Sequence, residues 1–519
     1  MTPALRRRLA TAVAAALLGG CGAGAAASAA PPPPPPPDET IVALLQQRIA
    51  AGRAAGFAVV IVEPGRVRQI VAGHADPRAG RAIDRRTRFE LGSITKPLSA
   101  TLAARLAGQG QLSLDDPIVR WLPGFGGGPP GPAAAVRVQD LVTHRSGLPR
   151  LPMSAAAWWS MLADPDDPYA RIDRADIDAY LAGWTAPAVL PAEVAYSNLG
   201  YAVLGRVLET AAGQPYAQLL AEQLLRPAGL ERAGIERRDG DAVGSRGGRP
   251  VPSWTLGEFA AAGGLRADAD DVARLLQVLL RPGAPFAPQD LEPRAPLRAG
   301  VPLDSSADRI ALGWIVRGPA GGETVWHNGG TGGFSAWLGF SPSRGVGVAV
   351  LASGDESVDD LGWHLIDPRH PLAAPGERAR SPLERWIPPM AGLLVVAHAA
   401  WLVPPAPGRW GALRRAAGLQ RPPSRRQTAL GLLALAGWLA WMFGLEVWHG
   451  WPGGLRVLIG AAGAGVAALV WSRSVVAAGA PAPGAGAAGR AGRVAAVAGA
   501  ALPWLLAAWV WIGPPGAGA

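Results

Sequence analysis

Lysine and cysteine are nearly absent from this chain of 519 residues. Lys96 is the sole lysine, although the chain carries 49 basic residues and the others are all arginine. Cys21 is the sole cysteine, so the chain cannot form an internal disulfide. An arginine cannot be deprotonated in a protein, whereas a partly desolvated lysine can become a neutral base. The retained amine of Lys96 therefore indicates a chemical role that arginine cannot fill.

Acidic residues are scarce at both ends of the chain. Residues 1–37 carry three arginines and no acid, and residues 386–519 carry ten arginines and one acid. Residues 38–385 have 36 basic and 38 acidic side chains, so the net charge of +10 comes from the two ends. Both ends have the character of membrane-targeting segments, where arginine sets topology. We therefore expect no nucleic-acid partner.

The N-terminus has the pattern of a signal peptide, which we assign to residues 1–20. Three arginines, 6–8, precede an apolar run over 9–18. Leu18-Gly19-Gly20-Cys21 resembles a bacterial lipoprotein cleavage box, which would make Cys21 the lipidated first residue of the mature chain. Alternatively, the signal is cut near Ala27-Ser28-Ala29 and Cys21 is removed with it.

Two linkers flank a central region over 38–370. The first, 21–37, ends in seven consecutive prolines, which form a stiff spacer. The second, 371–384, precedes a region over 385–513 that predicts a bundle of about four transmembrane helices. Their apolar stretches lie at about 386–404, 428–447, 455–472 and 494–512.

The apolar stretches each approach the ~20 residues that cross a bilayer as a helix. Residues 406–427 hold six arginines and no acid, so the positive-inside rule places that loop in the cytoplasm. The central region then lies on the periplasmic or extracellular side of a bacterial cell membrane, as a signal peptide also requires. The alternative is a set of buried core helices, and the Gly- and Ala-rich third stretch is the weakest transmembrane prediction.

The single lysine stands three residues after a serine, in Gly92-Ser93-Ile94-Thr95-Lys96-Pro97. Pro97 fits a helix only in its first turn, so a helix over 98–107 must begin near Ser93. Residues i and i+3 share a helix face, so the Lys96 amine can reach the Ser93 hydroxyl. Ser-x-x-Lys is the nucleophile-and-base pair of the penicillin-recognising serine enzymes. The alternative is a helix-capping serine followed by a surface lysine.

The central region has an α+β pattern, with strands at both ends and a long helical middle. A helix over Ile41–Ala55 precedes a hairpin of Phe57–Val62 and Val67–Gly73. Strands near the other end are predicted over Ile310–Val316, Thr324–His327, Phe334–Phe340 and Val346–Ala352, followed by a helix over Asp355–Ile366. This order suggests one antiparallel sheet assembled from both ends of the domain.

An ordered set of motifs resembles the serine β-lactamase and penicillin-binding-protein superfamily, nearest its class C and esterase/D-peptidase branch. Besides Ser93-x-x-Lys96, the set comprises Leu112–Pro117, Leu141–Pro149, Tyr196–Tyr201, the helix Ala269–Leu280 and His327–Ser335. The resemblance spans roughly residues 40–370. It implies a β-lactamase/transpeptidase-like fold, in which an antiparallel sheet flanked by helices packs against a helical lobe and the site lies in the cleft between them.

The resemblance also assigns roles to residues. Tyr196 and Asn198 match the family's Tyr-x-Asn element. Tyr196 would be held as a phenolate that takes the Ser93 proton or protonates the leaving group, and Asn198 would donate to a substrate amide. The backbone N–H groups of Ser93 and Gly330 would form the oxyanion hole, and Gly329 would keep the strand edge bare for the substrate.

His327 stands where β-lactamases carry the lysine of Lys-Thr-Gly, so a titrating group replaces a permanent cation. We therefore expect neutral esters or amides to outperform penicillins near neutral pH. Carboxylate substrates should improve as the pH falls through ~6.5, where histidine ordinarily titrates. The other motif histidine, His144, is interpreted as a structural clamp of its loop.

The sequence thus predicts an extracytoplasmic, membrane-bound serine hydrolase that cleaves amide or ester bonds through an acyl-enzyme. Its substrate would be a small molecule or peptide: a D-Ala-type cell-wall peptide, an ester or a β-lactam. The alternative is a penicillin- or peptidoglycan-fragment-binding sensor module that acylates and turns over slowly. No histidine spacing indicates a metal site, and no phosphate-cradling loop is present, so no cofactor is expected.

Overall fold

A nine-stranded antiparallel sheet joins the two ends of the domain. The computed structural model describes residues 32–127, 136–152, 154–157, 160, 164, 167–186, 194–281, 295–296, 309–318 and 322–373. Its strands are β1 (Gly56–Glu63), β2 (Arg66–Asp76), β3 (Arg81–Ala82), β4 (Phe89–Glu90), β5 (Gly244–Arg246), β6 (Arg249–Val251), β7 (Arg266–Ala267), β8 (Ala295–Pro296), β9 (Arg309–Ile310), β10 (Ile315–Arg317), β11 (Thr324–Gly330), β12 (Ser335–Ser341) and β13 (Val346–Ala352). The sheet order is β3-β2-β1-β13-β12-β11-β10-β9-β8, with β4–β7 and β5–β6 as separate pairs.

The helices pack on both faces of this sheet and form a second, helical part. They are α1 (Asp38–Ala50), α2 (Thr95–Gly108), α3 (Val138–Val142), α4 (Arg174–Gly183), α5 (Asn198–Ala212), α6 (Tyr216–Leu220), α7 (Ala260–Gly263), α8 (Ala269–Leu279) and α9 (Asp359–Ile366). The pairing of β1 with β13 confirms the prediction that one antiparallel sheet is assembled from both ends of the domain.

The central strand β1 shows why this sheet is covered on both sides. Successive side chains of a strand point to opposite faces. Ala58, Val60 and Val62 join the core that includes α2, α5 and α8, whereas Phe57, Val59 and Ile61 pack with α1 and α9. Since seven of its eight residues are buried, β1 reads as a continuous apolar run rather than an alternating one.

The predicted hairpin at the start of the domain is confirmed. Glu63 pairs with Arg66, so Pro64 and Gly65 form its two-residue turn. Gly65 adopts a φ of 75°, which glycine tolerates readily. The strand β2 extends beyond the predicted Gly73 to Asp76.

The prediction of one strand over Ile310–Val316 is wrong. The run forms the short strands β9 and β10, with Ile315 paired to Ile310. Gly313 has a φ of 71° at the turn between them, and the N–H of Ala311 donates to the Trp314 carbonyl at 2.9 Å. An apolar run such as 310–316 is typical of one buried strand. Here the glycine at position 313 forms a turn that divides the run into two short strands.

Two predicted helices occur with shifted ends. The first is α1, which begins directly after Pro37 with Asp38 and Glu39 in its first turn, where the helix dipole favours acids. It ends at Ala50 rather than Ala55. The closing helix α9 begins at Asp359, four residues later than predicted, so residues 355–358 form a loop beside the site described below.

Several predictions lie outside the described residues. These are the signal peptide, Cys21, the second linker after residue 373 and all four predicted transmembrane helices. The last residues of the first linker are described, and the carbonyl of Pro36 accepts a hydrogen bond from Arg68 at 2.5 Å, so this end lies against β2. Within the described ranges, no helix combines the length and apolar character that a bilayer crossing requires.

Candidate active site

Ser93 lies in a tight turn between β4 and α2. Gly92–Ile94 form one turn of 3₁₀ helix, and Gly92 has a φ of 51°. The hydroxyl of Thr95 donates to the Gly92 carbonyl at 2.7 Å and accepts from the Leu265 N–H at 3.0 Å, which fixes the turn. Ser93 is partly exposed although both chain neighbours are buried. The local structure therefore presents this hydroxyl to solvent at the start of a helix.

Lys96 lies beneath Ser93 and is fully buried. Its Nζ is 3.0 Å from Ser93 Oγ and donates to the Ala262 carbonyl at 2.7 Å. Burial lowers the pKa of this amine well below its usual value of 10.5, and the nearby charge of Arg150 lowers it further. A neutral Lys96 keeps a lone pair that can accept the Ser93 proton, as the sequence predicts.

Tyr196 contacts the same hydroxyl from the other side of the cleft. Its Oη donates to Ser93 Oγ at 2.6 Å, and the Lys96 Nζ lies 4.7 Å from its ring centroid. Burial raises the pKa of the Tyr196 phenol above its usual value of 10, and the hydrogen bond to Ser93 opposes this effect only in part. The expectation of a phenolate is therefore wrong, because the effect of burial on the pKa outweighs the hydrogen bond to Ser93 and the charge of Arg150. The arrangement suits a proton-donating phenol.

His144 holds Tyr196 in place. Its ring stacks on the Tyr196 ring, with centroids 4.5 Å apart and an interplanar angle of 29°. Its Nδ1 accepts from the Ser197 N–H at 3.0 Å, and its carbonyl accepts from the Ala195 N–H at 2.8 Å. Burial keeps the His144 pKa well below 6.5, so Nδ1 stays an acceptor. These contacts agree with the interpretation of His144 as a clamp.

Asn198 lies next to Tyr169. Its Nδ2 donates to Tyr169 Oη at 2.8 Å, and the side chain is only 7 % exposed. The remaining polar atom, Oδ1, is an acceptor and has no hydrogen-bond partner among the described residues. The second N–H of Nδ2 is not used by this bond, so the donor role toward a substrate amide stays a prediction.

Gly329 and Gly330 end β11 directly against the Ser93 turn. A Cβ on Gly329 would lie 1.9 Å from the Leu91 carbonyl oxygen, and a Cβ on Gly92 would lie 2.6 Å from the Gly330 nitrogen. The first hydrogen bond of the Ser93 turn is donated by the Ile94 N–H to the Leu91 carbonyl. The backbone N–H of Ser93 lies one residue earlier, at the start of the turn, where N–H groups have no partner within the helix. Strand and turn are thus in close contact, and the oxyanion hole of the Ser93 and Gly330 N–H groups stays a prediction.

His327 does not line the cleft in the expected way. It is 2 % exposed, and its Nδ1 lies 2.6 Å from the Asn328 carbonyl, to which it can donate only as an N–H. Burial is the main cause that lowers the His327 pKa to about 3. The expectation that His327 titrates near 6.5 and then binds a carboxylate is therefore wrong.

A cavity of about 260 Å³ opens above Ser93. Of the predicted site residues, Ser93, Tyr196, Gly329 and Gly330 line it, whereas Lys96, Asn198 and His327 do not. The other lining residues, which sequence reasoning missed as site residues, are Arg150, Asn328, Ser335, Asp355, Ser357 and Asp359. The only sequence signal for Arg150 was its position directly after the motif Leu141–Pro149.

Asp359 and Asn328 form one wall of this cavity. Asn328 Nδ2 donates to Asp359 Oδ2 at 2.7 Å, which ties the start of α9 to β11. Burial raises the pKa of the Asp359 carboxyl to about 6, although hydrogen bonds from Asn328 and Ser357 oppose this shift. The described residues contain no cluster of His, Cys, Asp and Glu side chains that could hold a metal ion.

Comparisons with known proteins agree with this fold. The family model described as Beta-lactamase matches residues 41–367, more than half of the chain. The D-alanyl-D-alanine-carboxypeptidase/endopeptidase AmpH of Escherichia coli K12 is 26 % identical over 317 residues, which cover 58 % of this chain and 80 % of that protein. Esterase EstB of Burkholderia gladioli is 30 % identical over 321 residues, which cover 53 % and 79 % respectively.

A solved structure has the same fold. The class C beta-lactamase from Rhodobacter sphaeroides superposes with a TM-score of 0.51 at 22 % sequence identity, covering 60 % of this chain and 93 % of its own. The chain belongs to the beta-lactamase family of serine hydrolases.

Proposed function

We propose that this protein is an extracytoplasmic, membrane-bound serine hydrolase that cleaves amide or ester bonds through an acyl-enzyme. One observation carries the proposal. Ser93 Oγ lies 3.0 Å from a buried amine, Lys96, and 2.6 Å from a phenol, Tyr196, at the floor of an open cleft. A nucleophile within hydrogen-bonding distance of its base, with a second proton carrier beside it, is the arrangement of covalent hydrolases.

The proton transfers follow from the pKa directions. Neutral Lys96 accepts the Ser93 proton as Oγ bonds to the substrate carbonyl carbon, and the N–H groups of Ser93 and Gly330 hold the oxyanion. Tyr196 donates its proton to the leaving atom as the scissile bond breaks, and the Lys96 ammonium then restores the phenol. Water attacks the acyl-enzyme and releases the acid and free Ser93.

The substrate class is a D-Ala-type peptide, an ester or a β-lactam. This proposal is supported by the names of the relatives, which include a D-alanyl-D-alanine carboxypeptidase, an esterase and a penicillin-binding protein. The missing lysine at position 327 favours the peptidase or esterase type over a dedicated β-lactamase.

The test is intact-mass spectrometry and steady-state turnover with the full-length protein in detergent. A fluorophosphonate, a penicillin and a short D-Ala-D-Ala peptide should each add a mass that Ser93→Ala abolishes. Ser343→Ala is the matched control, because that serine is exposed in the turn between β12 and β13. Undiminished p-nitrophenyl ester turnover by folded Ser93→Ala would refute the assignment. One product equivalent without further turnover would instead identify the slowly deacylating sensor.

The proposed membrane location is tested separately. We propose that Cys21 is lipidated and that the apolar stretches after residue 385 cross the membrane, with the hydrolase domain in the periplasm or outside the cell. In a bacterial host, Cys21→Ser should lose a lipid mass from the mature N-terminus. Reporter fusions after residues 373 and 415 should report opposite sides of the membrane. Fusions that report the same side would contradict the topology.

A further inference from the structure

Arg150 stands at the mouth of the cleft. It is exposed, it lines the same cavity as Ser93 and Gly330, and its guanidinium carbon lies 5.5 Å from the Tyr196 ring centroid. Its guanidinium has no ion-pair partner among the described residues. Its backbone is fixed, because the Arg150 carbonyl accepts from the Leu199 N–H at 3.1 Å.

Arg150 is also the sole cationic side chain among the described residues that line this cavity. His327 is neutral above a pH of about 3, so the family's strand position supplies no positive charge here. Lys96 is buried below the cavity floor and holds no permanent charge. The charge of Arg150 reaches the catalytic groups, since it contributes to the pKa shifts of both Lys96 and Tyr196.

Two acids line the same cavity. Asp355 and Asp359 line the cavity from the loop before α9 and from its first residue. Like charges repel, so an anionic group of the substrate is disfavoured beside Asp359, whereas Arg246, 3.9 Å from Asp355, offsets the charge of that acid in part. The cavity therefore has its cationic side chain beside Tyr196 and its acidic side chains at the start of α9 and in the loop before it.

We propose that Arg150 is a specificity-determining residue that binds a carboxylate on the leaving part of the substrate. This inference rests on the proposed hydrolase function. Tyr196 Oη is 2.6 Å from Ser93 Oγ, so the departing atom lies beside Tyr196, and Arg150 lies over the same ring. A guanidinium forks onto a carboxylate with two parallel hydrogen bonds. The preferred substrate thus has a free carboxylate on its leaving part, as a peptide with an unblocked C-terminus has.

The test uses two chromogenic acetate esters that share an acyl group. One is the ester of 4-nitrophenol, and the other is the ester of 5-hydroxy-2-nitrobenzoic acid, whose leaving phenol carries a carboxylate. The ratio of kcat/KM for the carboxylate ester to kcat/KM for the neutral ester should fall about tenfold in Arg150→Gln. This loss is at the lower end of what a charge-assisted hydrogen bond contributes, because the site is exposed. Dividing by the neutral ester cancels any effect of the variant on the chemistry itself. Arg150→Lys keeps the positive charge but cannot form two parallel hydrogen bonds, so its ratio should lie between those of the wild type and Arg150→Gln.

Arg66→Gln is the matched control and should leave the ratio unchanged, since Arg66 is an exposed arginine that begins β2 and does not line the cavity. Raising salt from about 0.05 to 0.5 M should lower the wild-type ratio and not that of Arg150→Gln, because salt screens exposed charges. An Arg150→Gln ratio equal to wild type, with Ser93-dependent turnover of the neutral ester intact, overturns this role alone. Absence of any Ser93-dependent ester turnover overturns the hydrolase function first.

Discussion

Replacing Lys96 by arginine separates the basicity of this residue from its charge. Arginine keeps a positive charge but offers no neutral form at any accessible pH. In the structure the Lys96 amine is fully buried, touches Ser93 Oγ and the Ala262 carbonyl, and has a lowered pKa. The site is thus built for a neutral base, and we expect Lys96→Arg to lose acylation even if it folds.

The magnitude follows from two contributions. A positioned general base contributes about 10² to 10⁴ in rate, so the loss of acylation should be at least ~10²-fold. A factor of 10² corresponds to about 2.7 kcal/mol of transition-state free energy. The permanent charge adds a cost in folding stability, because an unpaired buried cation is disfavoured by several kcal/mol.

Lys96→Met is the informative partner of Lys96→Arg. Methionine fills a similar volume and carries neither charge nor base, although it leaves the Ala262 carbonyl without its donor, a cost of about 1–3 kcal/mol. If Lys96 acts as a base, both variants lose acylation. If it acts through charge alone, arginine preserves the rate and methionine abolishes it.

The assay is stopped-flow acylation by a p-nitrophenyl ester, with thermal melts to establish that each variant is folded. Acylation in the wild type should rise with pH through the lowered pKa of Lys96 and then level off. Near wild-type acylation by folded Lys96→Arg would refute the reasoning and leave Tyr196 as the sole base.

Two further predictions concern β11. Gly329→Ala should reduce kcat of ester hydrolysis by at least ~10²-fold, which is the scale of a lost oxyanion donor. The added Cβ would lie 1.9 Å from the Leu91 carbonyl oxygen and would push β11 away from the Ser93 turn. Gly65→Ala is the control for backbone strain alone, because Gly65 lies in an open hairpin turn. The ratio of kcat/KM for a carboxylate and a neutral substrate should stay flat between about pH 6.5 and 8, since the His327 pKa of about 3 keeps the imidazole neutral throughout. If the ratio of carboxylate to neutral substrate instead rises as the pH falls through 6.5, and if His327→Gln makes it flat, then His327 does titrate in this range.

Short-range features of this fold could be predicted from the sequence. The turn at Pro64-Gly65 and the Ser93–Lys96 pairing depend on residues within four positions of one another, and the structure has both. The resemblance supplied the long-range contact of Tyr196 with Ser93, which are 103 residues apart. No spacing rule could have supplied it.

Protonation states could not be predicted in the same way. A tyrosine beside a lysine suggests a phenolate, and a strand histidine suggests a titrating group. Both interpretations failed because the cost of desolvation depends on how completely the surrounding chain covers a group. Arg150 was missed for a related reason, since its importance comes from the cleft it lines rather than from its neighbours in sequence.

Exposure explains why the two basic residues nearest Tyr196 are not interchangeable. Arg150 is exposed, so water stabilises its permanent charge and a substrate can reach it. Lys96 is fully buried, so its charge is disfavoured, and Arg150 disfavours it further. An arginine at position 96 would carry a charge that the protein cannot neutralise, and a lysine at 150 would lose the forked geometry. In a chain that otherwise uses arginine throughout, a lysine is therefore retained where a basic side chain must lose its proton.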